Sequence, residues 1–168
     1  NIYIVSDLPE AKAGQINLSL VDLNGKVLSS KSLDISVEPL KGKTYFTQKT
    51  SEFLNGGDQK SVFLLAELKV GGKTVTQNEY FFKPFKELSV SRPSIKTEIS
   101  PTAKGFKVVL STDKLAKTVY LSGFTEGFFT DNYFNLIPNR NIEVEFQTKQ
   151  KMSVEEFRKM LKIRSLID

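Results

Sequence analysis

The sequence predicts an all-β protein made of two tandem Ig-like antiparallel β-sandwiches, the second with one short helix before its last strand. Three observations support this fold class. Short runs of alternating apolar and polar residues recur along both halves of the chain, as in strands buried on one face. Turn residues separate these runs about every 8 to 12 residues, the spacing typical of a sandwich. A pair of prolines, Pro84 and Pro93, divides the chain near its middle.

The first predicted domain, residues 1–85, begins with a hairpin pattern. Ile16, Leu18 and Leu20 alternate with polar residues, and Asn24-Gly25 follows them directly. This dipeptide favours the tight turns of hairpins, so the strand predicted over Lys26–Leu33 folds back antiparallel. The nearly continuous apolar run Ser61–Val70 indicates a central strand, because such strands are buried on both faces. No helix is predicted in this half.

The second predicted domain, residues 94–168, follows a short extended linker at residues 86–93. Its strands are predicted at Ile95–Ile99, Phe106–Leu110, Ala116–Leu121, Ile142–Phe146 and Leu161–Ile167. Ser153 followed by Glu156 has the spacing of a capping box, which predicts a short helix ending near Met160. The last strand closes the domain after this helix.

The stretch from Gly123 to Pro138 is the densest apolar segment, and it supports two interpretations. It is either a corner that folds over the sandwich core or an aromatic platform on which a sugar or base stacks. As a corner, Asp131 and Asn132 would cap backbone N–H groups at the turn. The corner would consist of Phe129, Asp131, Asn132, Tyr133, Phe134 and Pro138. As a platform, the sugar contacts would be Phe128, Phe129 and Tyr133.

The composition excludes several classes of function. The chain has no Cys, His or Trp. Disulfides and thiolate chemistry are therefore absent, as are the commonest metal ligand and the usual general base, so we expect no metal and no cofactor. The net charge of +5 is scattered along the chain, and Lys149–Arg164 is interpreted as a solvated face, so we expect no nucleic-acid partner. No run of about 18 apolar residues exists that could span a membrane.

One motif carries a resemblance to a known family. The run F-T-D-N-Y-F-N-L-I-P at Phe129–Pro138, followed by an alternating strand, resembles the C-terminal Ig-like domain of β-mannosidases of glycoside hydrolase family 2. The opening I-Y-I-V-S-D, the hairpin L-V-D-L-N-G-K-V-L, the strand S-V-F-L-L-A-E-L and the closing L-K-I-R-S-L-I-D are similar to the same region. Asn139 departs from the Gly that the family often has after the proline, and Asn tolerates the left-handed conformation required there.

The resemblance implies a non-catalytic role in a larger enzyme. Such enzymes resemble a string of domains around a catalytic barrel with two glutamates, so the chain would form accessory domains of an exo-acting enzyme that hydrolyses terminal β-mannosides. Its partners would be the barrel, other domains of the same parent chain and, through that enzyme, a mannose-containing glycan. The start without Met or signal suggests a piece of a longer protein, and the resemblance favours a periplasmic, secreted or lysosomal location.

Two further expectations concern possible active residues. The acidic pairs Glu143/Glu145 and Glu155/Glu156 are expected to be surface charges, and no catalytic residue is assigned to this chain. The alternative function is a carbohydrate-binding module that stacks sugar on Phe128, Phe129 or Tyr133. Such modules usually use Trp, which this chain lacks.

Overall fold

The computed structural model describes residues 1–54 and 56–167, and the chain divides into two compact units. Unit 1 comprises Asn1–Asp22 and Lys26–Ser89, and unit 2 comprises Leu23–Gly25 and Val90–Asp168. Antiparallel strands dominate both units, which confirms the predicted all-β fold of two Ig-like sandwiches. Within the described ranges, no helix is long and apolar enough to cross a membrane.

Unit 1 contains two sheets of unequal width. Its strands are β1 (Ile2–Ser6), β2 (Lys12–Asp22), β3 (Val27–Val37), β4 (Lys41–Phe46), β5 (Val62–Val70) and β6 (Lys73–Phe81). One sheet has the order β3-β2-β5-β6, and the other contains only β1 and β4. The predicted hairpin is present, with Gly25 at φ +86° in its turn. The predicted central strand, β5, lies between β2 and β6.

The core of unit 1 follows the alternation in the sequence. Ile16, Leu18 and Leu20 of β2 are buried on one face of the four-stranded sheet. Phe63 and Leu65 of β5 are buried on the other face, because consecutive strand residues point to opposite sides. This double burial explains why β5 reads as a nearly continuous apolar run.

One short helix in the first half contradicts the prediction that it has none, and a second short helix interrupts the linker that was predicted to be extended. Helix α1 (Thr50–Leu54) buries Leu54 against Leu20, and a 3-10 helix at Phe85–Glu87 lies at the start of the predicted linker. Both are a single turn long, so tertiary contacts stabilise them rather than a helical sequence pattern. Strand β4 includes Gly42, where a Cβ would lie 2.5 Å from the Tyr3 hydroxyl oxygen.

Unit 2 has two sheets that face one core. Its strands are β7 (Ile95–Thr102), β8 (Gly105–Thr112), β9 (Ala116–Ser122), β10 (Phe128–Phe129), β11 (Phe134–Leu136), β12 (Ile142–Gln147) and β13 (Lys162–Arg164). The sheet orders are β10-β12-β8-β7 and β11-β9-β13. Helix α2 (Val154–Met160) precedes β13, which confirms the predicted helix and closing strand, although the strand is only three residues long.

Helix α2 places an aromatic ring at the centre of this core. Phe157 is 0% exposed, and its ring centroid lies 4.3 Å from that of Phe106 and 4.6 Å from that of Phe124. The predicted capping box is formed: the Ser153 hydroxyl accepts from the Glu156 N–H at 3.2 Å, and the Glu156 carboxylate accepts from the Ser153 N–H at 2.7 Å. The helix therefore begins at a fixed point and inserts Phe157 into the core.

Candidate functional site

The inner side of the Gly123–Pro138 stretch packs on the core of unit 2. The Phe129 ring lies 4.8 Å from the ring of Phe146, and Phe124 lies 4.3 Å from the same ring. Phe134 is half-buried against this cluster, and Pro138 is buried. At the start of the stretch, Gly123 has φ +114°, and a Cβ there would collide with the Met160 carbonyl oxygen. The segment passes so close to the end of α2 that only glycine fits.

Asn132 connects the turn of this stretch to strand β9. Its Oδ1 accepts from the Leu121 N–H at 2.8 Å, and its Nδ2 donates to the Leu121 carbonyl oxygen at 2.9 Å. The side chain thus satisfies two backbone groups of β9 in the way a neighbouring strand would. Asp131 has a more local role, because its Oδ1 accepts from the adjacent Asn132 N–H at 2.7 Å and the residue is exposed.

A second asparagine, which the sequence reasoning missed, holds an irregularity in β9. Thr118 has φ +54°, and the β9–β11 register shifts around it. The Thr118 N–H donates to Asn135 Oδ1 at 3.0 Å. Asn135 therefore supplies a hydrogen-bond acceptor for a backbone N–H that has no partner in the regular strand ladder. Its place in the D-N-Y-F-N run was a signal, since Asn side chains commonly satisfy irregular backbone.

The three rings proposed as sugar contacts lie in different environments. Phe129 packs inward, as described above. Phe128 is 60% exposed on β10, at the edge of the four-stranded sheet. Tyr133 is 64% exposed and stacks on Tyr120 of β9, in the three-stranded sheet, with ring centroids 4.9 Å apart and planes 19° from parallel. The three rings do not form one continuous platform.

Phe128 borders a shallow groove of about 760 Å³ on unit 2. Lys104, Glu126, Gln147 and Lys149 also line this groove. Gly127 has φ +108° and lets its own backbone approach that of Gln147 closely, since a Cβ there would lie 2.6 Å from the Gln147 carbonyl oxygen. An exposed ring beside charged and amide groups can contact a polar ligand that has one apolar face.

Three of the four glutamates in the acidic pairs, Glu143, Glu145 and Glu156, have structural partners. Glu143 forms an ion pair with Lys107 at 3.4 Å, with the Glu143 side chain 59% exposed. The Gln147 Nε2 donates to Glu145 at 3.5 Å. Hydrogen bonds from the Ser153 N–H and hydroxyl hold the pKa of Glu156 below its usual value. Among residues 1–54 and 56–167, no group of three or more acidic, His or Cys side chains could hold a metal.

Unit 1 contains a cleft that the sequence reasoning did not identify. It has a volume of about 430 Å³, and its lining includes Tyr3, Gln48, Asn78 and Tyr80. The alternation of β6 places Asn78 and Tyr80 on one face. The sequence pattern does not indicate, however, whether that face is covered by another element.

Comparisons with known proteins agree with this architecture. The family model described as "Mannosidase Ig/CBM-like domain" matches residues 1–87, which is just over half of the chain. The chain belongs to this family. A second model, described as "Ig-fold domain", matches residues 90–168. Two adjacent Ig-like domains of mannosidase type therefore account for nearly the whole sequence.

Curated relatives of this mannosidase Ig-like chain include fungal enzymes. Beta-mannosidase A of Neosartorya fischeri is 27% identical over 99% of the chain and 20% of its own length. Beta-mannosidase A of Aspergillus clavatus is 25% identical over 99% of the chain and 19% of its own length. The chain thus spans about a fifth of the length of these relatives. The matches confirm the resemblance to the Ig-like domains of β-mannosidases.

Solved structures show the same fold. A β-D-mannosidase from Dictyoglomus thermophilum matches with a TM-score of 0.81 and 22% identity, covering 98% of this chain and 20% of that one. The exo-chitosanase CsxA of Amycolatopsis orientalis matches with a TM-score of 0.63 and 15% identity, covering 97% of this chain and 24% of that one. At these identities the likeness concerns the fold alone.

Proposed function

We propose that this chain forms non-catalytic accessory domains of an exo-acting β-mannosidase that hydrolyses terminal β-mannosides. The observation that carries the proposal is the match of 99% of the chain to 20% of a Beta-mannosidase A. We place the first sandwich at residues 1–85, the linker at 86–93 and the second sandwich at 94–168. The partners are the catalytic barrel and other domains of the parent chain, and through them a mannose-containing glycan.

The acidic side chains of unit 2 support a non-catalytic role. Retaining glycosidases need two carboxyl groups about 5–5.5 Å apart across the scissile bond, one as nucleophile and one as acid. Here Glu143 is paired with Lys107, and Glu156 is part of a helix cap. Neither glutamate lines the unit 1 cleft or the Phe128 groove. The catalytic pair of the proposed enzyme therefore belongs to its remaining four-fifths.

Hydrolysis of an aryl β-mannoside tests the proposal. We expect no turnover by the isolated chain and measurable turnover by the longer protein that contains it. Glu143→Gln and Glu145→Gln in the longer protein should leave kcat unchanged. Turnover by the isolated chain that disappears in these variants would contradict the non-catalytic role. A longer protein that cleaves another glycoside and not the β-mannoside would contradict the proposed substrate.

Phe128 supports a second candidate function, a carbohydrate contact on unit 2. Its ring is 60% exposed beside charged and amide side chains, so its apolar face is accessible to a ligand. Because the neighbouring Phe129 packs into the core, only a small apolar area is offered, and we expect mannose or short mannan to bind this surface no more tightly than millimolar. Micromolar binding in titration calorimetry, lost in Phe128→Ala with the fold intact, would favour the binding-module function.

A further inference from the structure

The outer face of the small sheet in unit 1 is apolar and exposed. Residues of β1 alternate in burial, and Tyr3 and Val5 occupy the exposed phase. The Tyr3 ring lies over Gly42 of β4, which is the cross-strand partner of Val5. Leu8 and Leu40 lie just beyond this strand pair, where the Leu40 N–H donates to the Leu8 carbonyl oxygen at 3.1 Å. Four side chains that are 45–73% exposed thus form what we call the β1–β4 patch: Tyr3, Val5, Leu8 and Leu40.

The charged side chains of β4 are kept off this outer face. Lys41 and Lys43 belong to the opposite face, because each is the cross-strand partner of a residue of β1 in the less exposed phase. Both lysines form ion pairs with Glu38. Gly42 and Thr44 are the β4 residues on the outer face, so the paired residues 3–5 and 42–44 place no charge there. A solvent-facing side of an antiparallel sheet is normally polar, so this composition indicates a covered face.

The sequence of β1 also fits a strand that is covered on both faces. Its run I-Y-I-V is continuously apolar, as is much of β5, and such runs are typical of strands buried on both sides. In β5 both faces contain buried residues, whereas in β1 only one face is shielded. Single exposed apolar residues are normal on a protein surface, but a cluster of them on one small sheet marks an interaction site.

The chemistry and size of the patch favour a tethered protein surface as its partner. A small polar ligand needs several directed hydrogen-bonding groups, and the Tyr3 hydroxyl is the only one among the four side chains. Four side chains are also far fewer than the roughly 20–30 residues that each partner contributes to a standard interface between separate proteins. A partner that is covalently joined nearby needs less contact area, because the tether supplies a high effective concentration.

We propose that the β1–β4 patch is covered, in the parent protein, by the domain that is joined to Asn1. The chain spans 20% of the length of Beta-mannosidase A of Neosartorya fischeri, so most of the proposed parent protein lies outside these residues. Tyr3 and Val5 are close to Asn1 in the sequence, and a domain joined there is tethered beside the patch. The inference rests on the proposed function in requiring a longer parent protein, but it does not depend on which glycoside that protein hydrolyses.

Hydroxyl-radical footprinting of the 168-residue chain and of the longer protein tests the proposal. Tyr3 should be oxidised at least about fivefold more slowly in the longer protein, because the centre of an interface excludes water. Tyr80 is the matched reference, a tyrosine of unit 1 outside the patch that is 59% exposed where Tyr3 is 61% exposed. Its oxidation rate should change by less than about twofold between the two proteins.

Val5→Glu provides a second test, with Val75→Glu on β6 as its control. Both valines are more than half exposed, so in the 168-residue chain the two variants should have similar urea midpoints. In the longer protein, Val5→Glu places a carboxylate in the contact without a partner charge, which disfavours the covered state. Tyr3 should therefore regain the oxidation rate of the 168-residue chain in Val5→Glu and stay protected in Val75→Glu.

Three outcomes would overturn the proposal. The first is equal oxidation of Tyr3 in the two proteins, or slowing of Tyr80 as large as that of Tyr3. The second is full protection of Tyr3 in the Val5→Glu longer protein. The third is dimerisation of the isolated chain that disappears in Val5→Glu, which would assign the patch to a second copy.

Aryl β-mannoside hydrolysis by the longer protein separates this proposal from the proposed function. A longer protein that hydrolyses the mannoside while Tyr3 remains accessible would contradict the contact alone. A longer protein in which Tyr3 is protected, but which cleaves a different glycoside, would contradict the proposed substrate and support the contact.

Discussion

The two units use the same architecture but close it differently. In unit 2, sheets of four and three strands face each other, and α2 inserts Phe157 between them. In unit 1, a sheet of four strands faces a sheet of two, and a single turn of helix covers part of the remainder. The completeness of the second sheet therefore determines whether a sandwich of this kind has a filled core throughout or retains an open cleft.

Aromatic side chains show the consequence of this difference. In unit 2, Phe106, Phe124, Phe146 and Phe157 contact one another within the core. In unit 1, Tyr80 remains more than half exposed beside the cleft. We infer that unit 2 is the more rigid scaffold and that unit 1 is better suited to ligand contact. The following experiments test this comparison, beginning with the largest expected effect.

Removing residues 162–168 should unfold unit 2 and leave unit 1 folded. The truncation removes β13, which pairs with β9, and removes Ile163, which packs against the core cluster. A fully buried side chain of this size contributes roughly 1.5–3 kcal/mol; Ile163 is partly buried and contributes less, and the lost strand pairing adds to it, against a total stability of about 5–15 kcal/mol. Hydrogen exchange should show lost protection over residues 95–146 and retained protection over residues 16–82. Protection retained in both ranges would show that the segment is dispensable.

Phe157→Ala should destabilise unit 2 by about 3–5 kcal/mol, because it leaves a cavity at the point where three aromatic rings meet. Urea unfolding followed by unit-specific NMR signals measures this effect. Phe128→Ala removes the same side chain from an exposed position and should change stability by no more than about 0.5 kcal/mol. Equal losses in the two variants would contradict the central role of Phe157.

Local signals in the sequence predicted much of the fold of both units. The alternation of β2, the Asn24-Gly25 turn and the Ser153 capping box each depend on residues close together in the chain, and each is present in the structure. Helix α1 was missed because Leu54 is held by distant partners and the helix has too few residues for a periodic pattern. The number of strands in each sheet of unit 1 depends on long-range pairing, so the cleft between the sheets could not be predicted.

The corner shows the same limit at the level of single residues. The sequence predicts a turn in this segment, but it does not distinguish Asp131 from Asn132 as the residue that caps it. Only the position of β9 makes Asn132 the residue that reaches Leu121. Likewise, the aromatic residues Phe128 and Phe129 are neighbours, yet one is exposed and the other packs inward, because successive strand residues point to opposite faces.

Asn132→Ala should therefore cost unit 2 more stability than Asp131→Ala. The first variant leaves the Leu121 N–H and carbonyl oxygen without partners in a part-buried position, which costs about 1–3 kcal/mol. The second removes one exposed cap and should cost about 0.5–1 kcal/mol. Asn132→Asp keeps the acceptor for the Leu121 N–H but places a carboxylate oxygen against the Leu121 carbonyl oxygen, so it should not restore the stability of the original chain. A denaturant melt in which Asp131→Ala has the larger effect would reverse the assignment.

The smallest expected effect concerns the cap of α2 and its dependence on pH. The Ser153 N–H and hydroxyl lower the pKa of Glu156 from its usual value near 4.5. A carboxyl whose pKa is lower in the folded state stabilises the fold above the unfolded pKa, and this contribution is lost as the pH falls through the folded pKa. Glu156→Gln should therefore lower the urea midpoint of unit 2 slightly at pH 7, and the difference should shrink as the pH falls below 4.5 and through the lowered folded-state pKa. Glu155→Gln, outside the capping box, should show a smaller difference at pH 7.

Because the cap acts on the helix that carries Phe157, hydrogen exchange at pH 7 should show any loss of protection in Glu156→Gln within unit 2 and none in unit 1. Loss in both units would mean that their stabilities are coupled.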